Sequence, residues 1–193
     1  MENKFNYRTP VLLLFMLLIV GLRVIAPLSS DFKLIANFSG IGAVALFGGA
    51  YFKNKINAFL LPLLVLFVSD LGLILTMGAD YGFYSGWYYT YIAFILMVLA
   101  GYLIIKKVTT QRVLIAGLVG VLIHWIVSDL GVWYGSSIYP QTLSGFWACL
   151  VAAIPYEKNF MYGTLGYSAL LFGIFESLKA KYPVLSVNKT SHS

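Results

Sequence analysis

The sequence predicts an all-α membrane protein, a bundle of six transmembrane helices with one further short re-entrant or interfacial helix. Three observations indicate this class: 60% of the 193 residues are hydrophobic, only 10% are charged, and the mean hydropathy is +0.85. A water-soluble domain of this size could not bury so much apolar surface in one core. Long apolar runs favour helices, because a helix satisfies its own backbone hydrogen bonds in lipid.

The apolar runs between polar breaks give six spans and one shorter segment. A helix needs about 20 apolar residues to cross the hydrocarbon core, and most of the runs approach that length. Residues 142–155 are shorter and end at Pro155, so we expect a re-entrant or interfacial helix there. The predicted spans lie near residues 10–28, 37–53, 57–77, 87–106, 112–134 and 160–179.

Basic residues between the spans predict the orientation. With Lys4 and Arg8 in the cytoplasm, six crossings place the other basic clusters there as well. Those clusters comprise Lys53, Lys55, Lys106, Lys107, Arg112, Lys179, Lys181 and Lys189. We therefore expect a multi-pass protein of the cell (inner) membrane with both termini cytoplasmic, and no nucleic-acid partner. Residues 1–181 form one transmembrane domain, and residues 182–193 are predicted to be a disordered polar tail.

An internal repeat brings one aspartate in each copy to a matching position. Residues 68–72 and 127–131 both read Val-Ser-Asp-Leu-Gly. Further matches at the same offset indicate two related helix-loop-helix units, residues 58–106 and 117–165, whose aspartates face the same side of the membrane. A carboxylate at membrane depth costs about 2.5–3.5 kcal/mol on insertion scales. Both aspartates are therefore candidate functional residues.

Four polar side chains are expected to share one layer about 8–10 Å below the outer interface, namely Arg23, Asn37, Asp70 and Asp129. Arg23 should neutralise one aspartate and leave the other to hydrogen bonds, a proton or a ligand. The layer then serves to staple helices together, to bind a ligand or to relay protons. His124, near mid-membrane, is either a core hydrogen-bonding group or a ligand or proton contact in the floor of the pocket.

Aromatic residues crowd the same predicted outer side. An interfacial belt explains many of them. The cytoplasmic ends carry no matching set of tryptophans, however, and this asymmetry favours an external pocket that stacks a flat or ring-bearing solute. The candidate stacking residues are Trp87, Tyr88, Trp133, Tyr139 and Trp147.

Other chemical signatures are weak. Cys149 is either a packing residue or a soft ligand to a metal-bearing solute. It and His124 are the weak metal candidates, and we predict neither a metal site nor a cofactor. Motifs for ATP hydrolysis, zinc proteolysis and serine hydrolysis are absent, so no enzyme is predicted. Small residues in the second span, such as Ala45 and Gly49, indicate either close internal packing or docking of another subunit.

A set of residues between Asn37 and Gly173 carries a family resemblance. The set comprises Asn37-Phe38, residues 42–52, Ser69-Asp70, Gly131-Val132-Trp133, Tyr139-Pro140, Cys149, Ala152-Ala153-Ile154-Pro155 and Asn159. It resembles an uncharacterised family of bacterial integral membrane proteins that are likened to the substrate-binding S components of energy-coupling factor (ECF) transporters.

The resemblance implies an S-component-like bundle of six helices, an external pocket for a vitamin, a cobalamin-like molecule or a metal ion, and docking to a transmembrane coupling subunit served by two ATPases. The first span has only Gly21 and Ala26 as small residues instead of an A-x-x-x-A docking motif, so the second span is an alternative docking surface. The predicted function is solute binding for micronutrient uptake, with residues 142–155 as a lid.

Two other functions stay open. One is a structural or assembly subunit of a membrane complex. The other is an intramembrane lipid-modifying enzyme in which Asp70 and Asp129 act as acid and base or hold Mg²⁺.

Overall fold

A computed structural model describes residues 7–28, 38–52, 54–83 and 85–186, and this part of the chain is helical without any strand. The α-helices are α1 (Arg8–Ile25), α2 (Ile41–Tyr51), α3 (Lys55–Met77), α4 (Trp87–Ile104), α5 (Thr110–Trp133) and α6 (Leu143–Lys181). Four helical segments have the length and hydropathy of membrane spans, namely Arg8–Leu28, Lys55–Met77, Trp87–Ile104 and Thr110–Trp133. The all-α membrane class is therefore confirmed.

The short helix α2 lies at the centre of the bundle. It has 11 residues, contacts each of the other five helices, and is buried along almost its whole length. A Cβ atom at Gly49 would collide with the carbonyl oxygen of Val98, and one at Gly42 would collide with the hydroxyl of Thr164. The small residues of α2 therefore serve internal packing. Docking of another subunit on this span, the predicted alternative, is wrong because the neighbouring helices already cover it.

The last helix, α6, runs unbroken for 39 residues with Pro155 inside it. The predicted separation into a re-entrant helix over residues 142–155 and a span over residues 160–179 is therefore wrong. Proline removes one backbone hydrogen bond, but its neighbours keep theirs and the helix continues. At 1.5 Å per residue α6 is about 58 Å long, which exceeds the roughly 30 Å of a hydrocarbon core.

Both copies of the sequence repeat form a helix, a loop and a helix. The first copy contains α3 and α4, and the second contains α5 and α6. Side chains start the helices in each copy: Asn54 accepts a hydrogen bond from the amide of Ile56 before α3, and Thr142 accepts one from the amide of Gly145 before α6. In the first copy Gly86 adopts φ 85° just before α4, a conformation that favours glycine.

Polar contacts gather the start of α1, the end of α2 and the end of α6 at one end of the bundle, which we call the terminal end. Arg8 donates hydrogen bonds to the carbonyl oxygens of Leu185 (2.8 Å) and Tyr51 (2.9 Å). The Tyr51 hydroxyl donates to Glu176 Oε1 at 2.5 Å, and Lys179 Nζ lies 2.6 Å from the same oxygen. This network ties three helices and the following segment together.

The segment after α6 is folded at its start. Pro183–Leu185 form a 3-10 turn, and the side chain of Leu185 is buried. The predicted disordered tail over residues 182–193 is therefore wrong for its first residues, because Arg8 holds the Leu185 carbonyl group. Residues 187–193 lie outside the described part of the chain.

Candidate functional site

Two polar cavities lie in the half of the bundle away from the terminal end, and His124 lines both of them. The Arg23 cavity has a volume of about 240 Å³, and its polar lining includes Arg23, Ser39, Asp70, Thr90 and Tyr91. The Asp129 cavity has a volume of about 320 Å³, and its polar lining consists of His124, Ser128, Asp129, Tyr139, Cys149, Tyr156 and Glu157. A larger hollow of about 410 Å³ lies at the terminal end, where mainly apolar side chains line it.

An ion pair joins α1 to α3 in the Arg23 cavity. Arg23 Nη1 lies 2.7 Å from Asp70 Oδ1 and also donates a hydrogen bond to the Ser69 hydroxyl. The Tyr91 hydroxyl donates to Asp70 Oδ2 at 2.8 Å. Asp70 is only 4% exposed. The predicted neutralisation of one aspartate by Arg23 is confirmed, and both oxygens of the Asp70 carboxylate have partners.

Trp87 supports this arrangement from α4. Its ring lines the Arg23 cavity and packs edge-on against Tyr91, with 5.1 Å between the ring centroids. The Ser39 hydroxyl also lines the cavity, and among the described residues it has no hydrogen-bond partner. The Arg23 cavity therefore holds a paired carboxylate and a serine hydroxyl that has no partner among the described residues.

Asp129 lies in the second cavity, away from Asp70. Within the described part of the chain its carboxylate makes no hydrogen bond and no ion pair, and the residue is partly buried on α5. The expected single layer shared by both aspartates is therefore replaced by two adjoining cavities. They meet where Thr90 of the first cavity and Ser128 of the second form a hydrogen bond of 3.1 Å.

His124 and Glu157 form the second polar pair at membrane depth. Nδ1 of His124 lies 3.0 Å from Glu157 Oε2 and 3.2 Å from Oε1. The imidazole ring stacks on Phe160, with 3.9 Å between centroids and a 20° angle between the planes. An unbroken α6 carries Glu157 inward, whereas a helix that ended at Pro155 would have left it in an external loop. His124 thus makes a hydrogen bond in the core and also lines both cavities.

The loop between α5 and α6 brings Tyr139 to the Asp129 cavity. Trp133 Nε1 donates to the carbonyl oxygen of Pro140 at 2.9 Å, and Gln141 Nε2 donates to the carbonyl oxygen of Trp133 at 2.8 Å. These bonds hold the loop in a fixed shape. Residues 143–155 of the segment predicted as a lid belong to α6, and Cys149, Ala152 and Ala153 line the wall of this cavity.

The predicted aromatic residues divide into two groups. Trp87 and Tyr139 line cavities. Tyr88 is 48% exposed and Trp147 is 65% exposed, and with Trp133 they line neither cavity. The residues that line neither cavity fit the interpretation of an interfacial aromatic belt. Asn37, the remaining predicted site residue, lies outside the described residues.

Several polar residues of these cavities were not predicted as site residues, among them Tyr91, Tyr156 and Glu157. Helical spacing could have found the last two, because Ala153 follows Cys149 by four residues, and Tyr156 and Glu157 follow Ala153 by three and four residues on the same helix face. That pattern is visible only if the helix is continued through Pro155.

Metal ligands do not cluster in the described part of the chain, where no group of three or more histidine, cysteine, aspartate or glutamate side chains is placed to hold a metal ion. Cys149 is 2% exposed, and its Sγ atom donates a long contact of 3.8 Å to the carbonyl oxygen of Asp129. These contacts favour the packing interpretation of Cys149. His124, the other weak candidate, is occupied by Glu157.

Comparison with known protein families finds a match for most of the chain. A family model described as "Family of unknown function (DUF6580)" matches residues 3–185. No curated protein and no solved structure matches the chain. The match includes all six helices and the residues that line both cavities.

Proposed function

The chain belongs to a family of unknown function, DUF6580, and we propose that it is a membrane solute-binding protein of micronutrient uptake. The Asp129 cavity is the observation that carries this proposal. It combines a carboxylate that has no partner among the described residues, a His–Glu pair and two tyrosines around about 320 Å³. Small-molecule sites are concave hollows of about 300–1,000 Å³ that place a few polar groups among apolar walls.

The distribution of basic residues supports entry of the solute from outside the cell. Apart from Arg23 and Lys158, the lysines and arginines of the described ranges lie at or near the terminal end of the bundle. These residues are Arg8, Lys55, Lys106, Lys107, Arg112, Lys179 and Lys181. Since cytoplasmic ends carry the excess of basic residues, we place the terminal end in the cytoplasm and both cavities in the outer half.

The resemblance to S components supports a role as the binding subunit of a larger transporter. Under this proposal a transmembrane coupling subunit with ATPases supplies the energy. Because α2 is enclosed by other helices, such a subunit would dock on the exposed faces of the outer helices.

The alternative functions have less support. An enzyme that uses Asp70 and Asp129 together would require both carboxylates at one substrate, whereas the two line separate cavities. A structural or assembly subunit would have no need of a cavity with an unpaired carboxylate.

Native mass spectrometry of the protein in lipid nanodiscs tests the proposal. We expect a small molecule to remain bound to the wild-type protein and to be lost from Ala153→Phe, which fills the Asp129 cavity. Ala169→Phe is the matched control, because Ala169 lies on the same helix but lines the hollow at the terminal end.

Three results would contradict the proposal. One is the absence of any bound small molecule on the wild-type protein together with one stable protein partner, which would indicate a structural subunit. The second is the same bound mass on wild type and Ala153→Phe. The third is chemical conversion of a lipid by the purified protein alone, which would indicate an enzyme.

A further inference from the structure

The aspartates in the two copies of the repeat have different surroundings. Asp70 and Asp129 occupy the same position of the shared Val-Ser-Asp-Leu-Gly sequence. In the first copy a guanidinium group and a tyrosine hydroxyl contact both carboxylate oxygens. In the second copy the carboxylate has no partner among the residues that the structure describes. The first copy thus shows that a guanidinium group can pair with the aspartate at this position of the repeat.

The sequence explains why the second copy lacks both partners. Tyr91 corresponds to Leu150 at the offset that relates the aspartates, 70 to 129 and 91 to 150. Leucine has no hydroxyl to donate. Arg23 comes from α1, which lies outside the repeat, and no lysine or arginine of the described ranges lines the Asp129 cavity in its place.

Among the described residues, no lysine or arginine compensates the carboxylates of the Asp129 cavity. Asp129 and Glu157 both line it, and no lysine or arginine of the described ranges does. The neighbouring Lys158 lines a separate hollow with Val121 and Trp125. His124 lies against Glu157, which leaves Asp129 as the carboxylate without a partner. An unpaired carboxylate at membrane depth is costly, so a cationic guest gains much from pairing with it.

We propose that the Asp129 cavity takes a solute with a compact cationic group, an ammonium or amidinium, which pairs with Asp129 as Arg23 pairs with Asp70. The inference rests on the proposed function and specifies the class of solute. The rings of Tyr139 and Tyr156 line the same cavity and offer faces that attract a cation and its apolar substituents.

A pair of nearly isosteric probes tests the charge requirement. Benzamidine carries a planar cation like that of arginine, and benzamide is its neutral counterpart. Thermal unfolding of the full chain in zwitterionic nanodiscs is measured with each probe at millimolar concentration, with sodium chloride matched to the benzamidine hydrochloride. A ligand that binds the folded state raises the melting temperature according to its concentration relative to Kd.

We expect benzamidine to bind the wild-type protein at least about tenfold more tightly than benzamide, a ratio that corresponds to about 1.4 kcal/mol. Asp129→Asn should bring the ratio close to one. Asp80→Asn, which removes an exposed carboxylate in the turn after α3, should leave the ratio unchanged. A stabilisation by sodium chloride equal to that by benzamidine overturns the inference, as does a ratio that survives in Asp129→Asn.

The outcomes separate this inference from the proposed function. If benzamide and benzamidine bind equally and Ala153→Phe abolishes the binding of both, the cavity is a solute site, but the inference that its solute is cationic is wrong. If neither probe binds while native mass spectrometry finds a neutral or anionic molecule lost from Ala153→Phe, the same conclusion holds. If neither probe binds and no small molecule is found, both the inference and the proposed function fail.

Discussion

Arg23 and Asp70 form a partly buried ion pair of 2.7 Å that joins the first helix of the bundle to the third. The side chains are 22% and 6% exposed, respectively, and Tyr91 adds α4 to the same junction. Membrane helices gain little from the hydrophobic effect once they are inserted, so polar junctions of this kind help to fix their arrangement.

Replacement of Asp70 by asparagine should destabilise the fold by about 3 kcal/mol, because it leaves the guanidinium without its counter-charge. Unfolding in mixed micelles of increasing denaturing detergent measures the change. The double variant Arg23→Met/Asp70→Leu should recover at least half of the loss, since two apolar side chains leave no unpaired charge. A loss no greater than that of Asp80→Asn would show that the pair does not support the fold.

Asp129→Asn should lower the stability by less than about 1 kcal/mol in the same measurement, or raise it, since the carboxylate has no partner to lose among the described residues. The repeat makes this a matched comparison with Asp70→Asn, because the same chemical change is made at equivalent positions. Equal destabilisation by the two variants would assign both aspartates to helix stapling.

His124→Phe should destabilise the protein by about 1–3 kcal/mol. Phenylalanine keeps the stacking on Phe160 but leaves the Glu157 carboxylate, whose side chain is 11% exposed, without its partner. Adding Glu157→Met should restore most of the stability, and the unfolding midpoints of both variants measure this. If the double variant is no more stable than His124→Phe, the His–Glu contact is not the source of the loss.

Gly49→Ala should prevent normal folding or lower the stability severely, because the new methyl group would collide with the main chain of α4 at Val98. Gly166→Ala on α6 is the matched control, since nothing lies within 4 Å of its added Cβ atom. Alanine there should stabilise the helix by about 0.8–1 kcal/mol. Expression and monodispersity after extraction report the first change, and thermal unfolding reports the second.

Tyr51→Phe should cost about 1.5 kcal/mol at the terminal end, because the hydroxyl donates a hydrogen bond to the charged Glu176. The low end of the usual range applies, since Lys179 stays in contact with that carboxylate. Tyr162→Phe is the control, because Tyr162 is 55% exposed. Similar unfolding midpoints for the two variants would contradict a stabilising role for the network.

Composition and apolar run length were sufficient to predict the helical membrane class, because they depend only on total hydrophobicity. The partnership of Arg23 with an aspartate also followed from the high cost of an unpaired charge in lipid. Which aspartate it meets did not follow, because helix spacing within one copy of the repeat says nothing about where α1 packs. Only the structure shows α1 beside α3.

The errors have one main physical origin. Pro155 was expected to end a helix, as proline usually does in water. Inside a bundle the neighbouring backbone bonds persist, so α6 continues and carries Glu157 to His124. The aromatic residues were ambiguous for a different reason: tryptophan and tyrosine suit both a lipid interface and a cavity wall. Sequence position alone does not separate Trp87 from Trp147.

The central helix α2 has a consequence for how the protein is made. Its eleven helical residues rise about 17 Å, which is less than the roughly 30 Å of a hydrocarbon core. The ribosome makes α3 to α6 after α2, and all four pack against it. Burial of α2 inside the bundle is therefore complete only after the last helix has been synthesised.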